Sequence, residues 1–144
     1  MKSLKTQLSI LTIILCFSAC KENNASNDDF STKERLIRIA ELEIYPEYLE
    51  EYKVILKEEA EASVRVEPGV VSIFPMYQKE EPNQIRILEI YADEKAYEAH
   101  LETPHFKYYK NNTQKMVKSL RLIDMNAIDE ESMPEIFKKI QGLD

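Results

Sequence analysis

Gln84-Ile85-Arg86-Ile87-Leu88-Glu89-Ile90-Tyr91-Ala92-Asp93 carries the strongest strand signal of the chain and the start of the helix that follows it. Its β-branched and aromatic residues mark Ile85 to Ala92 as a strand, with Leu88 and Ile90 on one face and Ile85, Ile87, Glu89 and Tyr91 on the other. Asp93 is placed to cap a following helix, whose stripe of Ala96, Tyr97, His100 and Leu101 runs until Thr103-Pro104 breaks it. A further helical stretch covers about His105 to Met116. Lys118 to Met125 then alternates again, with Leu120 and Leu122 opposed to Arg121 and Ile123.

Upstream of Gln84 the pattern repeats. Arg35 to Ile44 has period-two alternation, placing Leu36, Ala40, Leu42 and Ile44 against Ile37, Ile39, Glu41 and Glu43. Pro46 suits the first turn of a helix, where its missing N–H costs nothing, and Leu49, Tyr52, Leu56, Ala60 and Ser63 or Val64 recur at helical spacing until Glu67-Pro68-Gly69. Val70 to Gln78 is a strand interrupted by Pro75, which predicts an edge position or a bulge. Glu80-Glu81-Pro82-Asn83 supplies the turn back.

The order strand, helix, strand, strand, helix, strand predicts an α+β fold of the ferredoxin-like βαββαβ type with one antiparallel sheet. One sheet face packs on the helices. The other, taken to bear Ile37, Ile39, Ile85, Ile87 and Tyr91, is too apolar for water and predicts a homodimer in which a second copy covers it. Ser132-Met133-Pro134-Glu135 reads as a capping box opening an extra C-terminal helix with Ile136, Phe137 and Ile140, ending at Gly142.

The N-terminus carries a different signal. A basic leader with Lys2 and Lys5 precedes an apolar run from Leu8 to Phe17, too short for a bilayer core of about 30 Å. Ser18-Ala19-Cys20 closes that run in the manner of a bacterial lipoprotein signal peptide, with Cys20 as the lipidated residue. The expected organisation is a signal over 1–19, a polar tether over 20–34, the folded domain over 35–125 and a helical extension over 126–144. The predicted location is the cell envelope, anchored to a membrane by lipid.

Removal of Lys2 and Lys5 takes the 19 basic residues to 17 against 26 acidic, a net of −9, which argues against nucleic acid. The two glycines, Gly69 and Gly142, sit in no phosphate-cradling sequence. With Cys16 removed and Cys20 lipidated, two histidines without a free cysteine predict no metal site.

Three motifs carry a family resemblance. They are Arg38-Ile39-Ala40-Glu41-Leu42, Glu67-Pro68-Gly69, and Glu89-Ile90-Tyr91-Ala92-Asp93 continuing through Ala96 and His100 to Thr103-Pro104-His105-Phe106. Over Arg35 to Met125 the chain resembles the antibiotic biosynthesis monooxygenase (ABM) family of dimeric α+β barrel proteins, especially its quinol monooxygenase-like members. The resemblance implies oxidation of a quinol-like or polycyclic phenolic substrate by O2, with no metal, flavin or other cofactor. The chain has no Trp, where many relatives carry one near Tyr91, which counts against a haem-degrading role.

Such chemistry needs a base near pKa 7, donors for an oxyanion and a dry apolar cavity. His100 is the expected base or proton shuttle, Glu89 its orienting carboxylate, and Tyr91, His105, Phe106 and Tyr77 the expected substrate contacts. Tyr108 and Tyr109 are further candidates for the pocket wall. The rival expectation is a non-catalytic ligand-binding or structural dimeric lipoprotein of the same fold.

Overall fold

Alternation in the first strand sorts its side chains cleanly: Ala40, Leu42 and Ile44 are buried while Ile37, Ile39, Glu41 and Glu43 are not fully covered. The computed structural model describes residues 35–142, so the signal segment, Cys20 and the tether lie outside the described residues. The elements are β1 (Leu36–Ile44), α1 (Leu49–Val66), β2 (Val70–Tyr77), β3 (Gln84–Tyr91), α2 (Glu94–Leu101), α3 (Pro104–Thr113), β4 (Val117–Met125) and α4 (Ser132–Gln141). The strands form one antiparallel sheet in the order β2-β3-β1-β4. This is the ferredoxin-like arrangement.

Register decides which side chains meet. Leu42 pairs with Ile85, Ala40 with Ile87, Arg38 with Glu89 and Leu36 with Tyr91. Paired residues of an antiparallel ladder point to the same side, so Ile85, Ile87, Glu89 and Tyr91 face the helices. The sequence expectation that Ile85, Ile87 and Tyr91 join Ile37 and Ile39 on the second face is therefore corrected. Leu88 and Ile90 occupy that face instead, opposite Ile39 and Ile37, with Phe74 across from Leu88 and Ile123 across from Ile39. Alternation separates the two faces of one strand, but a one-residue change of register exchanges which face meets which neighbour.

The helix-side core joins Ala40, Leu42, Ile44, Ile85 and Ile87 to Tyr52, Leu56 and Ala60 of α1. Each fully buried Leu or Ile contributes about 1.5–3 kcal/mol relative to leaving it exposed. Pro46 begins a single 3-10 turn, Pro46–Tyr48, that feeds α1. The buried stripe of α1 ends on Ser63, and Val64 is exposed. β2 is an edge strand, as Pro75 predicts, though its irregularity falls between Val70 and Ser72.

Asp93 caps α2 through a 2.8 Å hydrogen bond from the Ala96 N–H. Thr103 caps α3 and Pro104 takes its first turn, so α3 begins one residue before His105 and ends at Thr113 ahead of a 3-10 turn, Gln114–Met116. The capping box expected at Ser132 and Glu135 does not form. α4 starts a residue earlier in register, with Glu131 at the cap donating its N–H to Asp129, while Glu135 pairs with Lys138. Gly142 ends α4 at φ 66°, the left-handed conformation that glycine adopts without strain.

Gly69 matters for a different reason. A Cβ at that position would lie 2.5 Å from the Ala96 Cβ, so the turn after α1 rests directly on α2. Gly69→Ala should lower stability by about 1–3 kcal/mol through overpacking. Thermal melts check this, and adding Ala96→Gly should recover most of the loss.

Candidate active site

α1 places a carboxylate on its own apolar stripe. Glu59 is 5% exposed between Leu56 and Ala60, and Ser63, one turn later, donates a 2.8 Å hydrogen bond to its Oε1. Burial pushes the Glu59 carboxyl above its ordinary range, outweighing the Ser63 bond and the nearby His100. At the end of the same helix Glu67 bonds both histidines of the chain. His100 Nδ1, from the last turn of α2, lies 3.0 Å from Glu67 Oε1, and His105 Nε2, from the first turn of α3, lies 2.5 Å from the same oxygen. Burial pushes the Glu67 carboxyl up, but these two bonds outweigh it and hold the group below its usual range. His100 Nε2 stands 3.6 Å from Glu59 Oε1, so the buried imidazole lies between two glutamates.

Glu89 follows from the parity of β3. Facing the helices, its Oε2 accepts a 3.3 Å hydrogen bond from the Tyr91 hydroxyl. Burial raises its carboxyl to about 7, against the opposing pull of the Tyr91 bond and the Arg38 charge. Tyr91 itself is pushed up by burial and by the Glu89 charge. Its ring lies 5.4 Å from the His100 ring, and the Phe106 ring lies 4.7 Å from His100 on centroids. Tyr109 shares a 2.7 Å hydrogen bond with Tyr52 and is raised to about 12 by burial.

Glu59, Glu89, Tyr91, His100, Phe106 and Tyr109 border one cavity of about 500 Å³ between the sheet and the helices. Ala40, Leu42 and Ile73 make its apolar wall, and the side chains of Leu120 and Leu122 on β4, 56% and 47% exposed, reach its open side. An apolar chamber with a few convergent polar groups is the usual form of a small-molecule site. One carboxyl ready to change charge near neutrality and one oriented imidazole give it two proton acceptors.

The structure thus brings His100, Glu89, Tyr91 and Phe106 together, as expected from the sequence. The predicted Glu89–His100 pair does not form, because Glu89 bonds Tyr91 while Glu67 orients His100. His105 and Tyr77 are not among the residues bordering the cavity. His105 sits behind Glu67, and exposed Tyr77 stacks under Lys53, whose Nζ is 4.4 Å from the ring centroid. Tyr108 is likewise exposed. Sequence reasoning missed Glu59 and Tyr97, although a glutamate on the apolar stripe of α1, one turn before a serine, is a readable signal.

The model of the antibiotic biosynthesis monooxygenase (ABM) family matches residues 35–112, more than half of the chain, and the protein belongs to that family. A solved structure from Bacteroides thetaiotaomicron VPI-5482, provisionally described as an antibiotic biosynthesis monooxygenase, is 50% identical with a TM-score of 0.66, covering 67% of this chain and 91% of that one. A Nitrosomonas europaea structure with the same provisional description superposes with a TM-score of 0.64 at 18% identity, covering 69% of this chain and 96% of its own, and shows the fold alone. No curated protein matches the chain.

Proposed function

We propose that the protein is a monooxygenase that oxidises a quinol-like or polycyclic phenolic substrate with O2, using no cofactor. The observation that carries this reading is the cavity of about 500 Å³ joining Glu89 and His100 within apolar walls. Conversion of a quinol and O2 to a hydroxyquinone and water takes both phenolic O–H protons and one ring C–H proton off the substrate and returns one to the new hydroxyl, while one oxygen enters the ring and the other leaves as water with the remaining two. Two proton acceptors suit that sequence. Ionised Glu89 takes the first proton, and the electron-rich anion reacts with O2 against the apolar wall of Ala40, Leu42 and Ile73. His100, held by Glu67 through Nδ1, offers Nε2 for the second. Tyr91 and Phe106 contact the ring. Oxygen uptake above the uncatalysed rate with a panel of quinols tests the proposal, and a tightly bound apolar ligand without uptake would favour a binding role instead.

Two further parts of the reading concern assembly and location. The second sheet face carries Ile37, Ile39, Leu88 and Ile123, with Phe74 58% and Met125 45% exposed. A second copy packed on this face makes the dimer. Phe74→Asp should weaken dimerisation by about 3 kcal/mol or more, because it buries an unpaired carboxylate. Light scattering at micromolar concentration checks this, and an unchanged dimer would mean that the copies meet elsewhere. Ser18-Ala19-Cys20 supports a location at the cell envelope, with Cys20 as the anchor. Cys20→Ala should move it from the membrane to the soluble fraction, as immunoblots of fractionated cells would read.

A further inference from the structure

We propose that Glu67, His100 and His105 form a binding site for a divalent ion of the zinc type. Glu67 Oε1, His100 Nδ1 and His105 Nε2 all lie within 4.8 Å of one another. Two imidazole nitrogens and one carboxylate oxygen are the donor set that zinc accepts, at about 2.0–2.2 Å. The three side chains come from the end of α1, the last turn of α2 and the first turn of α3. Their backbones are fixed before any ion arrives: Gly69 rests on Ala96, and Thr103 Oγ1 both donates to the His100 carbonyl and caps α3.

The surroundings of His100 supply a second, independent observation. A metal-bound imidazole almost always donates its other N–H to a carboxylate or a carbonyl. His100 Nε2 faces Glu59 Oε1 at 3.6 Å, and Ser63 holds that carboxyl in place. Glu59 is nearly inaccessible, and among the described residues His100 is its ion-pair partner, so this carboxyl–imidazole arrangement is built into the core. The His105 side chain is 20% exposed and that of Glu67 11%, so an ion can reach the cluster from solvent.

Ligand atoms around a tetrahedral ion stand about 3.3 Å apart, whereas the two hydrogen-bonded separations here are 3.0 and 2.5 Å. Binding therefore replaces both hydrogen bonds and lengthens these two separations by several tenths of an ångström. It also fixes a tautomer. An ion on Nδ1 leaves the His100 ring proton on Nε2, donated to Glu59, so Nε2 can no longer accept a proton from the cavity. Zinc should then slow the oxidation, a consequence that rests on the proposed function.

The test uses the full chain, purified and chelator-treated, with Co2+ as a spectroscopic probe and Zn2+ as the competing ion. One equivalent of Co2+ should develop the intense visible bands of a four-coordinate site, Zn2+ should abolish them, and Zn2+ should raise the melting temperature. His105→Ala should lose the bands and the thermal shift, and Glu59→Gln should weaken Zn2+ binding about 10- to 100-fold. A cobalt spectrum that stays that of the aqueous ion overturns the site, as do bands and shifts that persist in His105→Ala. These arms use no substrate, so a protein that oxidises no quinol counts against the proposed function alone.

Discussion

Glu89→Gln should lower kcat/KM for quinol oxidation by about 10²-fold or more, the size of lost general-base catalysis. The carboxyl must be ionised to accept the phenolic proton, and burial sets that ionisation at about 7. The parent rate should therefore fall as pH drops below about 7 and level off above it, and the variant should lack this limb. Stability should move the other way. A carboxyl raised from its ordinary 4.5 to about 7 binds its proton longer in the folded chain than in the unfolded one, so the fold loses stability as pH rises between those two values. The glutamine variant escapes a penalty of up to about 3 kcal/mol and should melt higher than the parent at pH 8. A variant that is both inactive and less stable at pH 8 would mean that Glu89 is a structural carboxylate.

His100→Ala should also cost about 10²-fold or more in turnover, but with a loss of stability. The imidazole is 2% exposed and stands between Glu67 and Glu59. Deleting it removes one partner from each carboxylate, and although Glu67 keeps His105 and Glu59 keeps Ser63, the lost buried bonds should cost about 1–3 kcal/mol. His100→Asn separates the two roles, since its side-chain amide can still donate to Glu67 but offers no basic nitrogen. Melting temperature should recover in the asparagine variant while oxygen uptake stays low. Recovery of both would show that His100 only holds the helices together.

Much of this architecture was legible in the chain. Period-two alternation in Leu36–Ile44 and Gln84–Tyr91, helical spacing from Leu49, and the punctuation at Pro68-Gly69, Asp93 and Thr103-Pro104 fix the order of elements, and the order fixes the topology. Two things were not legible, for physical reasons. Which face of β3 meets the helices depends on a cross-strand register, Ala40 to Ile87, that neither strand encodes alone. That error also turned Ile87 into a surface position and Glu89 into an interface residue.

The site was read in its components but not in its pairings. His100 and Glu89 are recognisable as acid–base groups in β3 and the helix after it. Glu67 was visible only as part of the Glu67-Pro68-Gly69 motif, because its partners lie 33 and 38 residues away and only packing of α2 and α3 against the end of α1 brings them together. The same long-range closure makes a three-ligand cluster from two histidines that, five residues apart around Pro104, form no metal site alone.

In the proposed reaction the cavity directs one atom of O2 into a bound phenol. Mass spectrometry of product and solvent after turnover with isotopically labelled dioxygen tests it most directly. One labelled oxygen is expected in each hydroxyquinone and the other in water, with no hydrogen peroxide formed. Quinone without label, accompanied by labelled peroxide or by no oxygen consumption, would contradict it.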